Sequence, residues 1–241
     1  MSALYPSMLL LAVSLATTVH AESFTMAADG RFVSSERKLV LAREDYTATY
    51  QIGFGGEQQR VQFIGPVFPG YALPTSGTVT VHKTKPSVTD VQPVASPKGT
   101  VTKRMDLVNG SIVTEVTYAV AKTDSKENPA FRIILPLKPF AGNDAICNGL
   151  KVAMPLEKSA NYTLASGTEL TEFRLGTGDG QELGIRLLSP HEGVHLADCR
   201  HHPTPEQSLH LWIAIKDGTL RYQTCLLAVG EPFPRVDAKK R

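Results

Sequence analysis

The chain has 241 residues, with 25 Lys+Arg against 23 Asp+Glu, a formal net charge of +2 and 42% hydrophobic residues. Lys239, Lys240 and Arg241 supply three of the positives, so the body is close to neutral and lacks the basic stripe that a nucleic-acid partner needs. That length suits one large β domain or two small ones, and a single domain over 22–241 is expected.

Residues 1–21 carry the apolar run MLLLAVSLA and close on Val19-His20-Ala21, the small-x-small ending of a signal peptide. The mature chain is expected to begin near Glu22, and the protein to be secreted or periplasmic. The run is too short to span a bilayer, so no membrane partner is expected. Asp29-Gly30 then opens a series of turn dipeptides that continues with Asn109-Gly110, Asp179-Gly180 and Asp217-Gly218. Each lies between stretches rich in Val, Ile, Leu, Thr, Phe and Tyr and suits the left-handed dihedrals of a two-residue hairpin. Four hairpins are predicted.

In chain order, KLVLA, YTATYQIGF, RVQFIG and GTVTVHK read as strands. Residues 84–100, with Pro86, Pro93 and Pro97, read as a long loop or internal divider. SIVTEVTYAV alternates with period two, and FRIILPL, LKVAMPL, LTEFRLG and ELGIRLL follow as further strands. GVHLADC points Val194 and Leu196 inward. In LHLWIAI, Leu209, Leu211, Ile213 and Ile215 share one face against His210, Trp212, Ala214 and Lys216. LRYQTCLLAV closes the series. Sixteen prolines and 19 glycines interrupt any helical run, so the predicted class is mainly β, an antiparallel β-sandwich or jelly roll.

Cys147, Cys199 and Cys225 allow at most one internal disulfide, and spacing does not choose among the pairings. Burial as small apolar side chains is an equal reading. The glycine clusters GFGG and GTGDG precede strands rather than helices and so do not cradle phosphate. No Gly-x-Ser-x-Gly elbow is present. The sequons Asn109-Gly110-Ser111 and Asn161-Tyr162-Thr163 suit surface turns.

The stretch HEGVHLADCRH, His191 to His201, resembles the zinc motif of the metzincin proteases. That resemblance implies a zinc-dependent hydrolase with His191, His195 and His201 as ligands and Glu192 as general base. Three features oppose it. Pro190 and Gly193 disfavour the helix that would bring the histidine pair onto one ion, and on a strand the pair would stand about 13 Å apart. Asp198 occupies the position where the motif bends at glycine. All five methionines (Met1, Met8, Met26, Met105, Met154) precede the motif, whereas the family places one in a turn after it. A looser metal set of His191, His201, His202 and Cys199 matches no standard spacing, and no metal or cofactor is predicted.

The order TGDGQELGIRLL, VHLADCR, LHLWIAI and a turn, over about residues 175–229, is similar to β-sandwich segments that accompany catalytic domains of bacterial secreted glycoside hydrolases. There Asp198 and Arg200 would end a strand as Asp-x-Arg. The resemblance implies a sandwich without the enzyme and a sugar-related role. Hairpin register through Asp217-Gly218 sets Trp212 opposite Gln223 and His210 opposite Cys225, so Trp212, His210 and Gln223 are the predicted ligand-binding residues. Trp212 is the only tryptophan, and sugar recognition needs such a platform with polar groups around it. The predicted function is a secreted non-catalytic binding or structural module, with a glycan or another secreted protein as partner.

Overall fold

The computed structural model describes residues 24–29, 31–34, 40–44, 49–54, 57–67, 77–82, 87–94, 98–120, 130–158, 162–200 and 208–236. Its elements are all strands. The N-terminal set is β1 (Phe24–Met26), β2 (Phe32–Ser34), β3 (Val40–Glu44), β4 (Thr49–Phe54), β5 (Glu57–Val67), β6 (Thr78–His82), β7 (Ser87–Val94), β8 (Gly99–Val108) and β9 (Ser111–Val120). The C-terminal set is β10 (Ala130–Pro136), β11 (Asp144–Cys147), β12 (Leu150–Ala153), β13 (Thr163–Gly167), β14 (Glu172–Gly176), β15 (Gln181–Leu187), β16 (His191–Asp198), β17 (Ser208–Ile215) and β18 (Thr219–Ala228).

Two antiparallel sheets form, in the orders β1-β2-β3-β4-β5-β10-β17-β16-β13 and β12-β11-β14-β15-β18-β9-β8-β7-β6. The molecule is a β-sandwich. Period-two alternation gives each sheet one apolar face, and the two faces meet in a shared core. Phe131, Ile133, Leu209, Leu211 and Ile213 enter it from the first sheet; Ile112, Val116, Phe173, Leu175, Ile185 and Tyr222 enter from the second. All are at most 1% exposed.

Three of the predicted turn dipeptides lie between paired strands, with Gly30 of the first outside the described residues. Asp29 lies between β1 and β2, Asn109-Gly110 links Val108 to its partner Ser111, and Asp179-Gly180 lies between Gly176 and its partner Glu182. Asn109 and Gly110 have φ of 48° and 71°, as a primed turn demands. Asn148-Gly149 makes a further hairpin, β11 to β12, with φ of 47° and 81°.

Asp217-Gly218 does something else. Its φ values of 55° and 69° reverse the chain, but β17 belongs to the first sheet and β18 to the second. The turn crosses the sandwich instead of closing a hairpin, because both strands already have two neighbours. β17 is flanked by β10 and β16, and β18 by β15 and β9.

The stretch read as a long loop at 84–100 is also corrected, since Ser87–Val94 is a strand paired with β8. Among the described residues β6 pairs with β7 only as far as Val91, so no described strand is paired with Pro93 on that side. The strand reading of GVHLADC holds: His191–Asp198 is extended, with Val194 and Leu196 in the core.

Candidate functional site

The outer face of the first sheet is built by the residues that alternate with the core. Arg132 lies between core Phe131 and Ile133, and Trp212 between core Leu211 and Ile213. His195 lies between Val194 and Leu196 in the same way. Register then aligns them in one row across three strands, Arg132 opposite Trp212 and Trp212 opposite His195. The next row carries Ile134, His210 and Ala197.

Contacts follow from that register. The Arg132 guanidinium stands 4.9 Å from the centre of the Trp212 ring, a cation–π arrangement. The rings of His210 and Trp212 are 6.3 Å apart. On the far side Tyr162, 49% exposed, meets the His195 ring edge-on at 5.8 Å. Thr163 Oγ1 is 3.0 Å from His195 Nε2, and Ser208 Oγ is 3.0 Å from His210 Nε2. Burial holds the His195 imidazole below its ordinary value, so at neutral pH it is uncharged, with one nitrogen to donate and one to accept. The face therefore offers an indole, two imidazoles, a phenol ring and a guanidinium within a few residues of one another.

Of the three predicted ligand residues, Trp212 and His210 share this face. Gln223 does not. It lies on β18 in the other sheet, paired with Arg186 and Val113, fully buried, with its Nε2 donating to Ser111 Oγ and Pro234 O. The correction follows from the crossing turn, since period two reports which face a residue takes but not which strand lies beside it. Arg132 and Tyr162 were missed as site residues, and His195 was named only as a zinc ligand under the metzincin resemblance. An arginine at an outward position of the apolar run FRIILPL was the available signal.

His191 and His195 of the zinc motif sit on an extended strand with a bulge between His191 and Gly193, so no helix turn brings that pair together. Among the described residues no three His, Cys, Asp or Glu gather to hold a metal; His201 and His202 lie outside the described residues. Burial lifts the Cys199 thiol to about 11, which leaves it protonated and unsuited to act as a nucleophile.

Asp198 and Arg200 form a structural tie. Arg200 Nη2 donates to Asp198 Oδ2 at 2.5 Å, and the same guanidinium donates to the carbonyls of Pro155, Leu156 and Glu157 at 3.0, 2.7 and 2.9 Å. A separate concavity of about 390 Å³ lies at the turn end of the second sheet, lined in part by Asp144, Lys151, Gln181 and Glu182. Its described lining contains no aromatic ring.

No family model matches the sequence, and no curated protein matches it. Solved structures similar in strand arrangement include a candidate aldose 1-epimerase from Escherichia coli K12, at 10% identity and TM-score 0.46, covering 74% of this chain and 79% of that one. A galactose mutarotase related enzyme from Lactobacillus acidophilus gives 11% identity and TM-score 0.42, covering 87% and 99%. The Slr1438 protein from Synechocystis sp. PCC 6803 gives 8% and 0.44, covering 86% and 96%. At these levels a common arrangement of strands is not a common site.

Proposed function

We propose that this protein is an exported, non-catalytic binding module, secreted or periplasmic, that takes a carbohydrate on the outer face of its first sheet. The observation that carries the reading is the row Arg132, Trp212 and His195, with His210 and Tyr162 beside it. Sugars present C–H faces and hydroxyl edges. An indole flanked by imidazoles and a guanidinium answers the first with apolar surface and the second with donors and acceptors. Glycoside hydrolysis would require two carboxyl groups across the bond to be broken. On the strands that form the face, β10, β13, β16 and β17, the only carboxylates are Glu192 and Asp198, and Asp198 is 1% exposed and tied to Arg200.

The test is a glycan array probed with the full chain and with Trp212→Ala. Retention on at least one glycan class is expected, weakened about tenfold or more in the variant. Binding to no glycan, or equal binding by both proteins, overturns the reading in favour of a structural role or a protein partner.

A further inference from the structure

Part of the outer face of the second sheet, over β14, β15 and β18, is covered by the chain itself. After β18, residues 231–236 run across it as a strap without regular secondary structure. Phe233 packs its ring against the guanidinium groups of Arg174 and Arg186, 5.0 and 4.1 Å from the ring centre. The strap's backbone is tied at intervals. Arg174 Nη1 donates to Glu231 O at 2.7 Å, Gln223 Nε2 to Pro234 O at 3.0 Å and Asn109 Nδ2 to Arg235 O at 3.1 Å. Room for the ring exists because residue 184 has no side chain: a Cβ there would lie 2.8 Å from Phe233 Cε1 and Cζ.

Gly184 is also the direct cross-strand partner of Cys225. Cys225 points outward, away from the main core, in a separate cluster with Leu227 and Phe233. Ser111 faces it from β9, but the partner on β15 offers no side-chain atoms to shield it, so on that side the 1% exposure of Cys225 rests on the strap. Beside it Gln223 is fully buried under the same strap, and its Oε1 has no hydrogen-bond partner, a cost of closure that opening to water would relieve.

We propose that residues 231–236 are a latch. Closed, it covers Gly184, Gln223 and Cys225 on the outer face of the second sheet; open, it turns Cys225 into a thiol that exchanges with small disulfides. The electrostatics agree with that geometry. In the closed form burial pushes the thiol up to about 12, against the opposing pull of Ser111, Arg174 and Arg186. Opening removes the burial and leaves the arginines, which favour thiolate. The thiolate attacks one sulfur of the disulfide, forming a protein mixed disulfide and expelling the other half as its thiolate. The proton of Cys225 goes to solvent.

The experiment is reaction of the folded full chain with 5,5′-dithiobis(2-nitrobenzoate), with peptide mass spectrometry to assign the modified cysteine. Cys147 and Cys199, also free and buried, are internal standards. In Phe233→Ala the rate at Cys225 is expected to rise about tenfold or more while the other two stay slow. Equal acceleration of all three, or none at Cys225, overturns the latch. The unaltered protein provides a second measurement that does not depend on the variant folding. In sub-denaturing urea, Cys225 is expected to label through a local opening with a shallow urea dependence, while Cys147 labels with the steep dependence of global unfolding. A shared steep dependence overturns the proposal equally.

Discussion

A methyl group at Gly184 would meet the Phe233 ring at 2.8 Å and Leu227 Cδ1 at 2.9 Å, so the ring or the strand must move to accept it. Gly184→Ala is expected to destabilise the fold by ~1–3 kcal/mol, read by chemical denaturation. Combined with Phe233→Ala it is expected to cost less than the two single changes added, because removing the ring removes the clash. Additive costs would mean that the ring is not what holds this position to glycine. The position was not legible in ELGIRLL. Its glycine alternates with Leu183 and Ile185 like any outward residue, and the reason for it sits 49 residues later in the chain.

At the scale of elements, Asp198 and Arg200 join the end of β16 to residues 155–157. Their side chains are 1% and 8% exposed, so the pair is buried, and a carboxylate left without its guanidinium there is costly. Arg200→Met is expected to lose ~3–5 kcal/mol, checked by urea unfolding. Asp198→Asn, which retains a hydrogen-bonding carbonyl, is expected to lose less. Equal, small losses would mean that the tie contributes nothing beyond surface pairing. The Asp-x-Arg spacing stood out in the sequence, and the strand before it was correctly read from the alternation of Val194 and Leu196. The carbonyls that Arg200 binds were invisible because they belong to a segment more than 40 residues away.

For the whole molecule, pH acts through imidazoles that are partly buried. Burial holds His191 and His195 below the ordinary histidine value, so between that value, about 6.5, and the lower folded one the unfolded chain binds more protons than the folded chain. Stability from this source is complete above about pH 6.5 and is lost as pH falls through the folded values. Glu172 acts in a lower window: burial raises its carboxyl, but hydrogen bonds and charge from Arg186 and Arg174 outweigh that and leave it depressed. Its contribution is lost only as pH falls below the usual carboxylate range. Thermal midpoints measured from pH 8 to 5 are expected to fall below about 6.5, with a shallower fall in His195→Gln. An unchanged slope in that variant would remove His195 from the account.

The sequence by itself determined the β class, most of the strands though not β7, β11 or β13, three hairpins and the extended course of His191–Asp198. Each of these rests on neighbours a few residues apart, through period-two alternation, left-handed turn residues or a helix-breaking proline and glycine. Which sheet each strand joins was decided only by the tertiary structure. Alternation looks the same whether a turn closes a hairpin or crosses the sandwich, and strand partners are chosen by burial across the whole core. That choice separated Gln223 from Trp212, set Arg132 and His195 beside the indole, and laid the C-terminal strap over Cys225.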